Sequence, residues 1–337
     1  MSLFLETAFG KEQARAPIWI MRQAGRYLPE YRALKEKYSF WELCRTPELA
    51  AKVTLQPIER FPLDAAILFQ DIMTPLPPMG IEIDFAPGPV FKSPIRSEAE
   101  VNELRVPETE EIAPYVPEVI QLIRQESKVP LIGFGGAPLT LATYMIQGGG
   151  SKDYAEFRQF LRYAPRAAHK LLDKLTEVSI RYLKMQVEAG AQAVQLFDSW
   201  AGLHDSKMYS EFALPYNKRI FEALEPYTIP RLYIAVNALH LYEDIQTLPC
   251  EVVSVDWRVP LNKLRFRLYG KTLQGNLDPA VLLGSQEVIK QEAERVLESG
   301  LGGAHIFNLG HGIMKQTDPD KLAYLVDIVH SFDREKA

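Results

Sequence analysis

Cysteine is scarce in this chain, and the scarcity excludes two kinds of scaffold. The two cysteines in 337 residues, Cys44 and Cys250, lie far apart in sequence and make neither a disulfide framework nor a zinc box. Histidine is sparse too. His169, His204, His240, His305, His311 and His330 show no metal-ligand spacing, so no metal centre is expected. No apolar run approaches the roughly 20 residues that a membrane helix needs. The N-terminal MSLFLETAFGKEQ lacks the basic start and long apolar core of a signal peptide. These absences lead us to expect a cytoplasmic protein with no membrane partner. Positive charge is also in deficit: 38 Lys and Arg against 43 Asp and Glu leave a net charge of −5, which argues against a nucleic-acid partner.

What is present has an ordinary globular profile, 47% apolar and 24% charged. The densest local signal is MRQAGRYLPEY, residues 21–31, at the end of the apolar run APIWI. It places Arg22 and Arg26 four residues apart, with Gln23, Ala24 and Gly25 between them. In a helix the two guanidiniums share one face. A guanidinium is planar, permanently charged and shaped to grip a carboxylate with two hydrogen bonds. The plain alternative is a pair of surface ion pairs, which are common and contribute little.

A β-α alternation runs along the chain with no long linker. Apolar strands are expected at 17–21 and 65–70, then in VPLIGFGGAP, AQAVQLFDSWAG, PRLYIAVN, EVVSVDW, KTLQGNLDP and GGAHIFNLGHG. Between most of them lie patterns with the period of an amphipathic helix, including one from about 109 to 126 and a long one that ends at Gly190. TPLPPMGIEIDFAPGPVF reads as an excursion with a small hairpin. Eight parallel strands with intervening helices predict an α/β fold, a (β/α)8 TIM barrel, as a single domain over residues 1–337. An open doubly wound sheet usually carries G-x-G-x-x-G after its first strand, and MRQAGRY has none.

In such a barrel the carboxyl ends of the strands converge on one face, and active sites sit there. In chain order these ends carry Arg22 and Arg26, Asp71, Gly135-Gly136-Ala137, Asp198 and Ser199, Asn237, Asp256, Asn276, and Asn308 with His311. Asp71 ends the apolar run AAILFQ, where a charge is costly unless a cationic or N–H-rich ligand meets it. Asp278 precedes Pro279 and fits a helix cap better than a catalytic role. Gly135-Gly136 is read as a tight turn, with Pro138 opening a helix that offers Thr140, Thr143 and Tyr144 near its start and ends at Gly148 to Gly150. No P-loop lysine follows those glycines.

MRQAGRYLPEY, FPLDAAILFQDI, GFGGAPLTLATYMIQGGGS, QLFDSWAG, LQGNLDP and NLGHGI together resemble the uroporphyrinogen decarboxylase family, in the same order and with similar spacing from about residue 4 to 331. The resemblance implies a (β/α)8 barrel and a homodimer that needs no metal or organic cofactor. It also implies loss of CO2 from the four acetate side chains of uroporphyrinogen III, a substrate with eight carboxylates, giving coproporphyrinogen III. Carried over residue by residue, the substrate-binding loop corresponds to Arg22, Gln23, Ala24, Gly25 and Arg26. The essential aspartate facing the pyrrole N–H groups corresponds to Asp71, a transition-state stabiliser. Tyr144, Ser199 and His311 correspond to polar residues that orient the side chains, and Lys35 to a basic residue that meets another carboxylate. One segment departs: IAVNALHLYEDI lacks the lysine-glycine turn implied after the fifth strand, which bears on Asn237 and His240.

Three other readings meet this pattern. A zinc- and corrinoid-dependent barrel methyltransferase needs a His-Cys cluster at the strand ends, and neither cysteine lies in one. A Schiff-base aldolase needs a strand-end lysine, whereas AILFQDI, VVSVDWR and AHIFNLGH offer at most arginine, which cannot form the imine. A non-catalytic tetrapyrrole carrier differs from the enzyme in sequence only at Asp71.

Overall fold

Strands that are apolar along their whole length are buried on both faces, and a parallel sheet covered by helices is the arrangement that does this. The computed structural model, which describes residues 2–85 and 88–336, follows that logic. Seven strands form one parallel sheet in the order β1 (Ala66–Ile67), β4 (Leu131–Gly136), β5 (Ala193–Asp198), β6 (Arg231–Ala235), β7 (Val252–Ser254), β8 (Thr272–Leu277) and β9 (His305–Leu309). The excursion is a separate antiparallel hairpin of β2 (Ile83–Phe85) and β3 (Pro89–Phe91). Residues 86–87, between the two strands, lie outside the described residues.

The sheet is curled. Gln274 of β8 donates to Gln195 of β5 at 2.9 Å and accepts from the Trp19 indole at 2.8 Å, all three buried. β6 and β7 separate those two strands in the sheet, so their side chains meet only across a concave interior.

Seven strands are found where eight were expected, and the missing one is the first. Residues 17–21 run alongside β9 with a single parallel bridge, Ile18 to Phe307. Side chains take the backbone groups that a ladder would use. Ile18 N–H donates to Asp64 Oδ2 at 2.8 Å, Ile20 N–H to Gln23 Oε1 at 3.0 Å and Met21 N–H to Asn308 Oδ1 at 2.9 Å. With these donors satisfied by side chains, no regular strand forms.

Two further expectations are corrected. The helix placed from about 109 to 126 is a 3-10 turn at Thr109–Glu111 followed by a helix at Val116–Glu126. Pro114 disfavours helical backbone at Ala113, whose φ is +46°. Gly135 and Gly136 are no turn. They are the last residues of β4, where the long helix Pro165–Ala189 packs close. A Cβ at Gly136 would lie 2.6 Å from Leu141 Cδ2 of the next helix in the chain, Pro138–Gln147, and one at Gly133 would lie 2.6 Å from Gln186 Oε1 of the long helix. That helix buries Leu171, Leu172, Leu175, Val178, Tyr182 and Leu183 along one stripe, each contributing roughly 1.5–3 kcal/mol. It ends at Gly190, whose φ of +122° suits glycine alone. No helix among the described residues is long and apolar enough to cross a membrane.

Candidate active site

The loop 21–28 holds the first group of predicted residues, and it is a run of turns with no helix. Gln23 N–H closes a turn on the Ile20 carbonyl at 2.8 Å, and Arg22 sits in the left-handed region at φ +63°. The shared helical face expected for Arg22 and Arg26 is therefore absent. Both arginines are exposed, and neither pairs with a carboxylate among the described residues. Gln23 is buried and anchors the loop: its amide bonds the Ile20 N–H and the Ala65 carbonyl, and its carbonyl accepts from the Tyr27 hydroxyl at 2.8 Å. Ala24 and Gly25 are half-buried. Lys35 closes the short helix Pro29–Lys35 and points its Nζ at the Tyr38 carbonyl, 3.4 Å away.

Asp71 follows β1 in a tight turn. One oxygen, Oδ1, accepts the Met73 N–H at 2.9 Å, while no group among the described residues bonds Oδ2. Burial lifts its carboxyl above the usual carboxylate range, opposed by the Met73 N–H and by the Arg22 guanidinium. Arg22 bears on three predicted residues at once. Its charge acts on Asp71, on Tyr144 and on His311. Its stem lies over Gly312, where a Cβ would come within 2.5 Å of Cδ. His311, just past β9, is pushed down to about 4, first by burial and then by Arg22 and Arg258, with Asp256 opposing.

Tyr144 projects from the helix Pro138–Gln147 and meets Tyr154 and Trp200 edge-on at 6.2 and 5.9 Å. Burial raises its hydroxyl. The Trp200 indole N–H is buried without a partner among the described residues. Ser199 stands half-buried at the end of β5 with no hydrogen bond to the described residues. Its neighbour Asp198 is fully occupied, accepting from Thr140 at 2.8 Å, Asn217 at 3.0 Å and Tyr233 at 2.8 Å. Thr140 Oγ1 also accepts the Trp200 backbone N–H at 3.3 Å, so this buried carboxylate fixes the turn that carries Ser199 and Trp200.

The remaining strand-end residues are structural. Asp278 caps its 3-10 helix by accepting the Ala280 N–H. Asn276 bonds the Asp256 and Val259 carbonyls, Asn308 the Met21 N–H. Asn237 gives its N–H to Asp256, and His240 bonds the His204 carbonyl. Sequence reading missed Arg258, which pairs with Asp256 at 3.0 Å and stacks over Trp257 at 4.4 Å. The available signal was the DWR triplet just past an apolar strand. Among the described residues, no three His, Cys, Asp or Glu side chains gather as a metal-binding group. A concavity of about 540 Å³ lined by Glu12, Ala14, Leu301 and Arg334 opens at the opposite, amino-terminal ends of the strands and holds none of these residues.

The profile of the family described as Uroporphyrinogen decarboxylase (URO-D) matches residues 1–332. The chain belongs to the uroporphyrinogen decarboxylase family. Members of that family are similar along the full length. Uroporphyrinogen decarboxylase of Geobacter metallireducens is 47% identical over 336 residues, covering 98% of this chain and 99% of the relative. That of Geobacter sulfurreducens is 46% identical with the same coverage. Among solved structures, a methyltransferase from Methanosarcina mazei superposes with a TM-score of 0.83 at 22% identity, over 98% of this chain and 99% of that one. A B12-independent methionine synthase from Shewanella sp. W3-18-1 superposes at 0.60 with 12% identity, over 94% and 96%. At these identities the likeness concerns the fold alone, so the URO-D fold is shared with enzymes of other chemistry.

Proposed function

We propose that this chain removes the carboxyl groups of the four acetate side chains of uroporphyrinogen III, forming coproporphyrinogen III and four CO2, with Asp71 at the centre of the reaction. An acetate on an aromatic pyrrole holds its CO2 because the carbanion left behind is not stabilised. A proton added to the ring carbon beside it makes an iminium. The electron pair of the C–CO2 bond then neutralises that cation, leaving an exocyclic methylene. A second proton on the methylene carbon and loss of the ring proton give the methyl-pyrrole. The substrate thus serves as its own electron sink, the part a cofactor plays in other decarboxylases.

The single observation carrying this reading is the state of Asp71: half-buried and, among the described residues, bonded through Oδ1 only, which leaves Oδ2 open to them. A pyrrole N–H that gains positive charge meets that oxygen, an electrostatic effect of roughly 3 kcal/mol or more in a dry site. Arg22 and Arg26, exposed and without a carboxylate partner among the described residues, grip side-chain carboxylates, each contact offering roughly 4 kcal/mol before desolvation. Lys35 meets a further carboxylate at the rim. Tyr144, Ser199 and His311 orient the acetates and propionates as neutral hydrogen-bonding groups, and the 22–26 backbone shapes the wall beside them. In this reading residues 17–21 are the eighth stave of a (β/α)8 barrel, supported by their bridge to Phe307 and by the Ile18 carbonyl accepting the Asp64 N–H at 2.8 Å. The enzyme works as a cytoplasmic homodimer, single-domain over 1–337, without metal or organic cofactor.

The test is anaerobic incubation of chelator-treated protein with uroporphyrinogen III, following carboxyl number by chromatography after oxidation. Stepwise seven- to four-carboxyl species are expected, with turnover about a hundredfold lower in Asp71→Asn. Recovery of the eight-carboxyl species alone, or unchanged turnover in Asp71→Asn, overturns the reading. Sedimentation velocity on the same preparation tests the dimer.

A further inference from the structure

Arg258 has no part in the function proposed so far, yet it is held in place from several sides. It follows β7 in the segment Asp256-Trp257-Arg258, at the same ends of the strands as Ser199 and His311. Asn276 Nδ2 bonds the carbonyls of Asp256 and Val259 at 2.8 and 2.7 Å, which pins the backbone on both sides of the arginine. The buried Asp256 carboxylate accepts the Asn237 N–H and the Arg258 N–H, and pairs with Arg258 Nη1 at 3.0 Å. Gly310 lets the β9 turn close onto this segment: a Cβ there would lie 2.5 Å from the Trp257 nitrogen. His311 comes next in the chain, within electrostatic reach of both Arg22 and Arg258.

The guanidinium itself remains available. It lies over the Trp257 ring at 4.4 Å, and the side chain is 45% exposed while Asp256 is 7% exposed. A guanidinium carries five N–H donors. Here Asp256 alone engages it among the described residues, through Nη1. A plain surface ion pair involves two mobile side chains. In this pair one partner is buried and fixed, and the other is preorganised with an open edge.

We infer that Arg258 is a specificity-determining residue that receives one carboxylate of the bound macrocycle, beside His311 and apart from the Arg22–Arg26 loop, with Asp256 as its positioning partner. The inference rests on the decarboxylase reading above. A substrate with eight carboxylates on its rim needs cations on more than one side, and Arg258 comes from β7, whereas Arg22 and Arg26 follow the first apolar segment.

The measurement is steady-state turnover of Arg258→Gln and Arg258→Lys with uroporphyrinogen III, together with inhibition by coproporphyrinogen III. Arg258→Gln is expected to raise KM about tenfold or more with kcat within about threefold of wild type, because a charge-assisted contact made in ground and transition states is lost. Arg258→Lys keeps the charge without the fork, and an intermediate KM is expected. If Arg258 holds a propionate, inhibition by the product, which lacks the acetates, weakens in parallel with KM. If it holds an acetate, product inhibition stays unchanged. Either pattern supports the inference. A KM within twofold of wild type, or a fall in kcat alone, overturns it. Should Arg258→Gln fail to fold by circular dichroism, the KM of Arg258→Lys decides. A wild-type protein without turnover sinks the decarboxylase reading instead. Fluorescence titration with uroporphyrin then decides the role of Arg258, with equal affinity in wild type and Arg258→Gln counting against it.

Discussion

Gly312 lies beneath the side chain of Arg22: a Cβ built there would stand 2.5 Å from Cδ, 2.9 Å from Cγ and 3.0 Å from Nε. Residues 290 positions apart are thus fitted to each other with no room for a methyl group. Gly312→Ala must therefore displace the guanidinium, while the core beneath is untouched. The expected result is a fall in kcat/KM of about tenfold to a hundredfold, the usual consequence of moving a positioning group by about 1 Å. The melting temperature should stay within about 2 °C of wild type. A variant with full activity would show that Arg22 works equally well elsewhere.

Arg22 is also the point where backbone strain and function meet. A non-glycine residue at φ +63° costs roughly 1–2 kcal/mol, and glycine removes that cost while adding up to about 1 kcal/mol of unfolded-state entropy. Arg22→Gly is therefore expected to unfold in urea at or slightly above the wild-type midpoint, with turnover reduced about a hundredfold. Arg22→Ala should lose the same activity with no gain in stability. If both variants are clearly less stable than wild type, the side chain stabilises the loop, and an exposed arginine with no carboxylate partner among the described residues is the wrong description.

Asp198 ends β5 and Asp71 lies four residues past β1, and burial raises both carboxyls. Their partners set them apart. Asp198 to Ala strands the donors of Thr140, Asn217 and Tyr233, and a loss of about 3–5 kcal/mol is expected from its urea unfolding curve. Asp71→Asn keeps an acceptor for the Met73 N–H and removes a penalised charge. Its stability at pH 7 should equal or exceed that of wild type while activity collapses. Equal destabilisation by the two changes would remove the distinction between a structural and a functional aspartate.

The same pair shows what the sequence could and could not reveal. The strands and helices were legible because parallel strands buried on both faces leave unbroken apolar runs, and because Gly190 and Asp278 cap their elements through local chemistry. The topology expected of those runs put Asp71, Ser199 and His311 past the same ends of the strands, and the charge of Arg22 reaches Asp71, Tyr144 and His311. The partners of Asp198 were not legible, since Thr140 lies 58 residues before it and Tyr233 35 after it. The first segment failed to form a strand because Asp64, Gln23 and Asn308 supply its hydrogen bonds by side chain, which periodicity does not register. Gly135 and Gly136 were misread as a turn for a related reason: close packing by a helix and a reversal of the chain both call for glycine.

His311 offers a test in which the sign of a pH effect is fixed in advance. Burial first, then the charges of Arg22 and Arg258, depress its folded value to about 4 from 6.5, with Asp256 pulling the other way. The imidazole is neutral at pH 7, holding one N–H and one lone pair for the substrate. Because the folded value lies below the unfolded one, the unfolded chain takes up a proton first as pH falls. Stability from this group is therefore intact above pH 6.5 and is lost at about 1.4 kcal/mol per pH unit down to about pH 4. Asp71 and Asp198, with carboxyls raised in the fold, act in the opposite direction at the acid end of that window, so the comparison must be between variants. His311→Gln should show a shallower loss of stability between pH 6.5 and 4.5 than wild type. In nitrogen-15 spectra the His311 ring should titrate near 4 in the wild-type protein. In Arg258→Gln it should move upward yet stay below 6.5, because burial, the largest cause, remains. A wild-type midpoint near 6.5 would place the imidazole in open water, away from both guanidiniums.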